Sequence, residues 1–157
     1  MADTKQAPFT PQQEKYGSVA IQLMSKANTW IYRVSGGRLG GKFTNGAPVC
    51  LLVTQGRKSG QERTAPLIYM KDGDDYIFVA SKGGMSHHPA WYLNLEANSE
   101  CAVEEGKRRI DATARRVSDE EKAELWPRLL EVYPDYDDYQ ARTTRNIPVI
   151  RVSPTAA

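Results

Sequence analysis

The chain has 157 residues, 25% of them charged, and a formal net charge of +2. That length suits one domain with a real core. The small net charge excludes a general nucleic-acid binder and confines any basic site to a local patch. No apolar run approaches the roughly 20 residues of a membrane span, and the opening MADTKQAPFTPQQEKYG lacks the charged-then-apolar order of a secretion signal.

Residues 1–13 read as a flexible polar arm, and 14–157 as a single domain. From about Gln12 to Val34 the apolar residues Tyr16, Val19, Ala20, Leu23, Ala27, Trp30, Ile31 and Val34 recur in steps of three and four, which predicts an amphipathic helix. Gly36-Gly37 ends it. The connection GGRLGGKF precedes a strand instead of following one, so it is not a dinucleotide fingerprint.

Strands follow. Pro48 to Gln55 is apolar nearly throughout, as in a strand buried on both faces. Glu62 to Lys71 is the next strand, and Asp72-Gly73-Asp74 a turn before the strand Asp75 to Ser81. Pro89 to Ala97 predicts a helix with Pro89 in its first turn. Glu100–Glu105 and Arg108–Val117 pair around Gly106. In the second of these, Ile110, Ala112 and Ala114 alternate with polar residues, giving one wet face. Ser118 and Glu121 form a capping box for a helix to about Val132, kinked at Pro127. Tyr136 to Arg142 is a last short helix, and Ile147 to Val152 a last strand. Locally connected strands with few helices and no βαβ alternation indicate an α+β barrel or meander. Cys50 and Cys101 have neither disulfide nor metal spacing, so a reducing, cytoplasmic compartment is the simplest reading.

Three stretches can carry chemistry. In GRKSGQER, the tip of a hairpin, Arg57, Lys58 and Arg63 place three cations within eight residues, with the hydroxyl of Ser59 and glycines that let backbone amides approach an anion. A merely solvated hairpin end is the competing reading. In Ala80-Ser81-Lys82-Gly83-Gly84, a lysine ends a buried strand beside flexible backbone; a strand terminator is the alternative. Tyr133, Tyr136 and Tyr139, at spacing three, would share a helical face and offer phenols as proton or hydrogen-bond donors; packing is the alternative, with Asp135, Asp137 and Asp138 as the wet side. His87-His88 read as a loop and no metal site is assigned. Hydrolase templates are absent.

GRKSGQER…PLIY, VASKGG…HPAWYLNL and WPRLLEVYPDYDDYQ…TTRNIPV, in this order, resemble the deazaflavin-dependent nitroreductase family of actinobacteria, over roughly Ala20 to Val152. The resemblance implies a split β-barrel related to FMN-binding flavoproteins, with an N-terminal amphipathic helix and short helices over the barrel. It also implies coenzyme F-420 as hydride donor, an enzyme that reduces menaquinone-like quinones, and nitroaromatics as further substrates. By position, Arg57, Lys58, Ser59, Arg63 and Lys82 would hold the coenzyme's phosphate and acidic tail. Thr64, Ala65, Pro66, Leu67 and Ile68, with Val79, Ala80 and Ser81, would line its ring. Ala90, Trp91, Tyr92, Leu93 and Asn94 would close the other side. Tyr133, Tyr136, Tyr139 and Ser81 would be the catalytic set, with Tyr136 also touching the coenzyme. Ile68 and Ala90 depart from the family pattern, where an aromatic residue and a methionine occur, and both change the pocket's shape. A non-catalytic carrier of F-420 or a lipid is the alternative function. The resemblance also raises two roles for Leu23, Met24, Trp30 and Ile31, peripheral contact with the inner face of a membrane or cover over the pocket mouth, against simple packing on the barrel.

Overall fold

The computed structural model describes residues 7–43 and 45–155, without the side chains of Ile21 and Gln22. Residues 1–6 of the expected arm lie outside the described residues. In chain order the elements are α1 (Pro11–Ser35), β1 (Val49–Gln55), β2 (Glu62–Ile68), β3 (Met70–Asp72), β4 (Asp75–Val79), a 3-10 turn (Lys82–Gly84), α2 (Ala90–Ala97), β5 (Glu100–Glu105), β6 (Arg108–Arg116), α3 (Asp119–Val132), α4 (Asp135–Arg142) and β7 (Val149–Pro154).

α1 starts earlier than the arm boundary implied. Thr10 accepts from the amide of Gln13, and the Gln13 side chain returns the bond, a complete capping box with Pro11 in the first turn. Gly36 ends the helix at φ 63°, where a side chain would be strained.

The strands form one antiparallel sheet in the order β2-β1-β5-β6-β7-β4-β3. β1 is buried from Cys50 to Thr54 because β2 and β5 flank it and side chains pack over both faces. The predicted strand Glu62–Lys71 breaks at Tyr69. That residue alone separates β2 from β3, yet these two strands end the sheet at opposite sides. Only a curled sheet can bring its two edges within one residue, so the seven strands wrap into a half-barrel. The Tyr69 and Tyr76 hydroxyls both donate to the Glu105 carboxylate, stitching the corner to the end of β5. Pro66 is tolerated because β2 is an edge strand.

β4 shows the period of two on a doubly covered strand. Tyr76, Phe78 and Ala80 join a cluster with Cys50, Leu52, Trp91, Tyr92 and Ile150 inside the curl. Ile77 and Val79 face a second cluster with Leu125, Leu129, Tyr133 and Tyr136 from α3, α4 and their junction. Burying each such aliphatic or aromatic side chain stabilises the fold by about 1.5–3 kcal/mol.

The hairpin β5–β6 turns at Gly106 (φ 61°), and the wet face of β6 is as expected. At α3 half of the predicted box forms. Ser118 Oγ accepts from the Glu121 amide, but the Glu121 carboxylate turns away to Arg115 and Arg151. Two guanidinium groups outcompete one backbone amide for a carboxylate. α3 continues through Pro127 to Val132.

Candidate functional site

The β1–β2 tip is built by its turn. The Gly56 amide donates to Gln61 O (2.7 Å) and the Gly60 amide to Gly56 O (2.8 Å). Gly60 has φ 71°, and a Cβ on Gly56 would meet Ser59 Oγ at 2.8 Å. Ser59 is occupied internally, accepting from the Gln61 amide (3.2 Å) and from Arg63 (3.4 Å). Arg57, Lys58 and Arg63 are exposed, and none of the ion pairs among the described residues includes them. The tip therefore presents three cations without carboxylate partners, which suits a polyanionic ligand. A hollow of about 340 Å³ abuts it, lined by Gln55, Gly56, Arg57, Gly60, Ala97 and Asn98.

Asn94, at 3% exposure, pins the tip to α2. Its Oδ1 accepts from the Arg57 amide (3.2 Å) and guanidinium (3.1 Å), while its Nδ2 donates to Thr54 (3.1 Å). The run Ala90–Asn94, expected to close the other side of the ring, therefore divides by direction. Trp91, Tyr92 and Asn94 point into the protein, leaving Ala90 exposed and Leu93 half-buried. Trp91 packs against Phe78, and Tyr92 donates to Glu96 (2.6 Å). On β2, Thr64, Ala65, Pro66, Leu67 and Ile68 are all half-buried, as a strand at a rim should be. Val79 and Ala80 are buried in the two core clusters.

The turn after β4 is the second part. Ser81 is 8% exposed. Lys82 has φ 45°, the one positive φ outside glycine among the described residues, a conformation costing about 1–3 kcal/mol. Burial lowers its pKa, and its Nζ lies 2.8 Å from His87 Nε2. Sequence reasoning missed the residue that holds this turn. Arg145 donates to the carbonyls of Ala80 (3.1 Å), Ser81 (2.9 Å) and Met85 (3.2 Å), and contacts His88 Nδ1 at 2.9 Å. Glu14 on α1 was missed too. Its carboxylate accepts from the Ser86 amide (2.7 Å) and hydroxyl (2.8 Å), and the amide bond leads in holding its pKa below the usual range.

The tyrosines come together, though not on one helix. Tyr133 is the C-cap of α3, while Tyr136 and Tyr139 lie on α4. The Tyr133 and Tyr139 hydroxyls are 2.8 Å apart, and ring centroids lie 5.0–6.5 Å from one another. Burial first, then the hydrogen bond to Tyr139, raises the Tyr133 pKa; burial raises that of Tyr136. Both phenols therefore keep their protons at neutral pH. α4 rests directly on the Lys82–Gly84 turn: Arg142 donates to Gly83 O (2.8 Å), and a Cβ on Gly84 would meet Tyr139 O at 2.7 Å. The structure thus brings α4 and its Tyr139 against the turn that follows Ser81, with Tyr133 and Tyr136 packed on Tyr139. The cationic tip is tied to α2, whose Trp91 and Tyr92 share a cluster with Ala80.

Residues 24–154 match the family described as F-420H(2)-dependent quinone reductase. A curated relative of that description in Mycobacterium tuberculosis is 42% identical over 135 residues, 84% of this chain and 90% of its own. A solved F-420-H2 dependent reductase is 42% identical with a TM-score of 0.63, over 68% of this chain and 94% of its own. A solved chain described as a domain-swapped dimer is 37% identical, TM-score 0.63, over 81% and 99%. The heme storage protein of Vibrio cholerae, 17% identical with a TM-score of 0.54 over 69% and 82%, shares the fold alone. Taken with the half-barrel and the cation-rich rim, these matches place the chain in the F-420H(2)-dependent quinone reductase family.

Proposed function

We propose that this reductase transfers a hydride to a menaquinone-like quinone over the Ser81–Gly84 turn, with the Tyr133–Tyr139 pair supplying the proton. The observation that carries the reading is the seating of α4 on that turn, which sets Tyr139, hydrogen-bonded to the buried, protonated Tyr133, against the glycines beside Lys82. The coenzyme is F-420, whose reduced deazaflavin supplies a two-electron hydride. The unpaired cations Arg57, Lys58 and Arg63 fit a phosphate and a tail of carboxylates. Lys82 adds a fourth, while Ser59 supports the turn. Thr64 to Ile68, with half-buried Leu93 and exposed Ala90, form the rim against which the ring would lie. Val79, Ala80, Trp91, Tyr92 and Asn94 act behind it by packing and pinning.

A quinone accepting a hydride at one carbonyl system gains negative charge on oxygen. A phenol O–H of Tyr133 or Tyr139, with the Ser81 hydroxyl, hydrogen-bonds that oxygen and returns a proton to complete the quinol. Tyr136, almost fully buried, orients the other two by ring contact. Nitroaromatics with a planar ring and developing oxyanion suit the same groups. The family's description as a reductase favours turnover over a carrier role. A second copy of the chain is a further partner, supported by the relative described as a domain-swapped dimer. No helix among the described residues is long and apolar enough to cross a membrane.

The test mixes the protein with reduced F-420 and a soluble menaquinone analogue and follows the return of oxidised-deazaflavin absorbance. Turnover that requires both partners is expected. Coenzyme binding without turnover over a panel of quinones and nitroaromatics would overturn the reading.

A further inference from the structure

α1 turns its polar side inward. Glu14, Ser18 and Tyr32 reach the body: Glu14 bonds Ser86, Ser18 Oγ lies 3.8 Å from Met85 Sδ, and the Tyr32 hydroxyl accepts from the Gly106 amide at 2.7 Å. The opposite side is apolar and open. Tyr16 is 66% exposed, Leu23 65%, Trp30 67% and Val34 68%, and Ala20 and Ala27 are exposed between them.

The spacing of these residues is specific. Tyr16, Leu23 and Trp30 recur every seven residues, and so do Ala20, Ala27 and Val34, offset by four. That is the pattern of a two-helix seam, with the large residues at one heptad position and the small ones at the other. Val19 and Met24 flank it, both exposed.

We infer that α1 pairs with α1 of a second copy, antiparallel, through this seam. The inference rests on the second-copy reading above and adds the face and the register. Set antiparallel about the level of Ser25, Trp30 meets the partner's Ala20, Leu23 meets the partner's Ala27, and Tyr16 meets the partner's Val34. Each bulky side chain then fills the hollow over a smaller one. A parallel pair would set ring against ring and alanine against alanine, leaving voids, and would align rather than oppose the helix dipoles. A lipid surface needs no such alternation, and two alanines in the stripe would add little to insertion. The 25 residues of α1 give a seam about 37 Å long. Two aromatic side chains, each able to bury about 150–250 Å², with Leu23, Met24, Val19 and Val34, approach the roughly 800 Å² per partner of a stable interface.

The experiment is light scattering on the full chain, wild type beside Leu23→Asp, with circular dichroism to show that the exposed substitution leaves the fold intact. A dimeric mass that halves in Leu23→Asp is expected. The register is read by oxidising an equimolar mixture of Leu23→Cys and Ala27→Cys chains, which gives a cross-linked heterodimer, whereas Tyr16→Cys mixed with Ala20→Cys gives none. A dimer that survives Leu23→Asp overturns the seam and leaves the second-copy reading standing. A wild-type monomer overturns both, and a monomer that sediments with phosphatidylglycerol vesicles assigns the stripe to a lipid surface instead.

Discussion

Arg145 donates to the carbonyl of Ser81 across 64 positions of chain, at 2.9 Å. Its other bonds go to two more carbonyls and to His88, and no carboxylate accepts from it among the described residues. A guanidinium held without a carboxylate is costly to bury, and burial lowers its pKa. It is kept there, in our reading, to fix the turn that carries Ser81 and Lys82. Arg145→Gln should destabilise the fold by about 2–3 kcal/mol, the scale of losing charged hydrogen bonds, measured by urea unfolding. It should also weaken F-420 binding, while Arg145→Lys recovers part of both.

The tip makes a separate prediction. Lys58→Ala or Arg63→Ala should weaken F-420 binding by about 1–3 kcal/mol without changing stability, because both side chains are exposed. Calorimetry at two salt concentrations checks it: the loss shrinks at high salt. Unchanged affinity in both variants would remove the tip as the coenzyme anchor.

Tyr133→Phe keeps the ring that packs on Tyr136 and Phe43 but loses the hydroxyl facing Tyr139. Coenzyme affinity should hold while the single-turnover rate of coenzyme oxidation falls about 100-fold or more, the scale of losing a general acid. Full activity would pass the proton to Tyr139 or Ser81.

Gly84 holds α4 close. It sits at φ 81°, and a Cβ there would meet the Tyr139 carbonyl at 2.7 Å. Gly84→Ala should cost about 1–3 kcal/mol from backbone strain alone and part α4 from the turn. Thermal unfolding measures the first effect. A larger proportional loss in kcat than in coenzyme affinity measures the second.

Acid should find one weak point. Arg151 bonds Asp72 (2.8 Å), Asp75 (2.9 Å) and Glu121 (3.0 Å). Hydrogen bonds from Arg151 and then Arg128 lower the Asp72 pKa, and those from Arg115 and then Arg151 lower that of Glu121. A carboxylate with a depressed folded-state pKa contributes stability that is present above its unfolded value, near 4, and lost as pH falls through the folded one. Unfolding free energy should therefore drop below about pH 4, and Arg151→Leu should flatten that drop. An unchanged pH profile in the variant would show the network to be neutral.

Local signals made the elements readable. Alternation on β6, the glycine turn at Gly106 and the apolar run Cys50–Val53 each follow from a few neighbouring residues. The half-barrel does not, because it depends on β4 pairing with β7, which no local pattern encodes; only the family resemblance supplied it. The site divides the same way. Three cations in GRKSGQER announce themselves, but nothing in HPAWYLNL says that Trp91 and Tyr92 face inward while Ala90 faces out. Arg145 lies in TTRNIP, a polar run without period, and only the fold reveals its carbonyl partners. Glu14 carries no signal in the sequence either, and only the fold shows it as the link from α1 to Ser86.

β7 lies between β6 and β4, so it is the stave that closes the curl although it follows the other six strands in the chain. Until Val149 to Pro154 leaves the ribosome, β4 has only short β3 beside it, and Ile77 and Phe78 lack their ladder partners Arg151 and Ile150. The nascent chain must hold that edge of β4 unpaired until then. Closing the curl then waits on a pairing of residues far apart in the chain, the slow kind of step in folding.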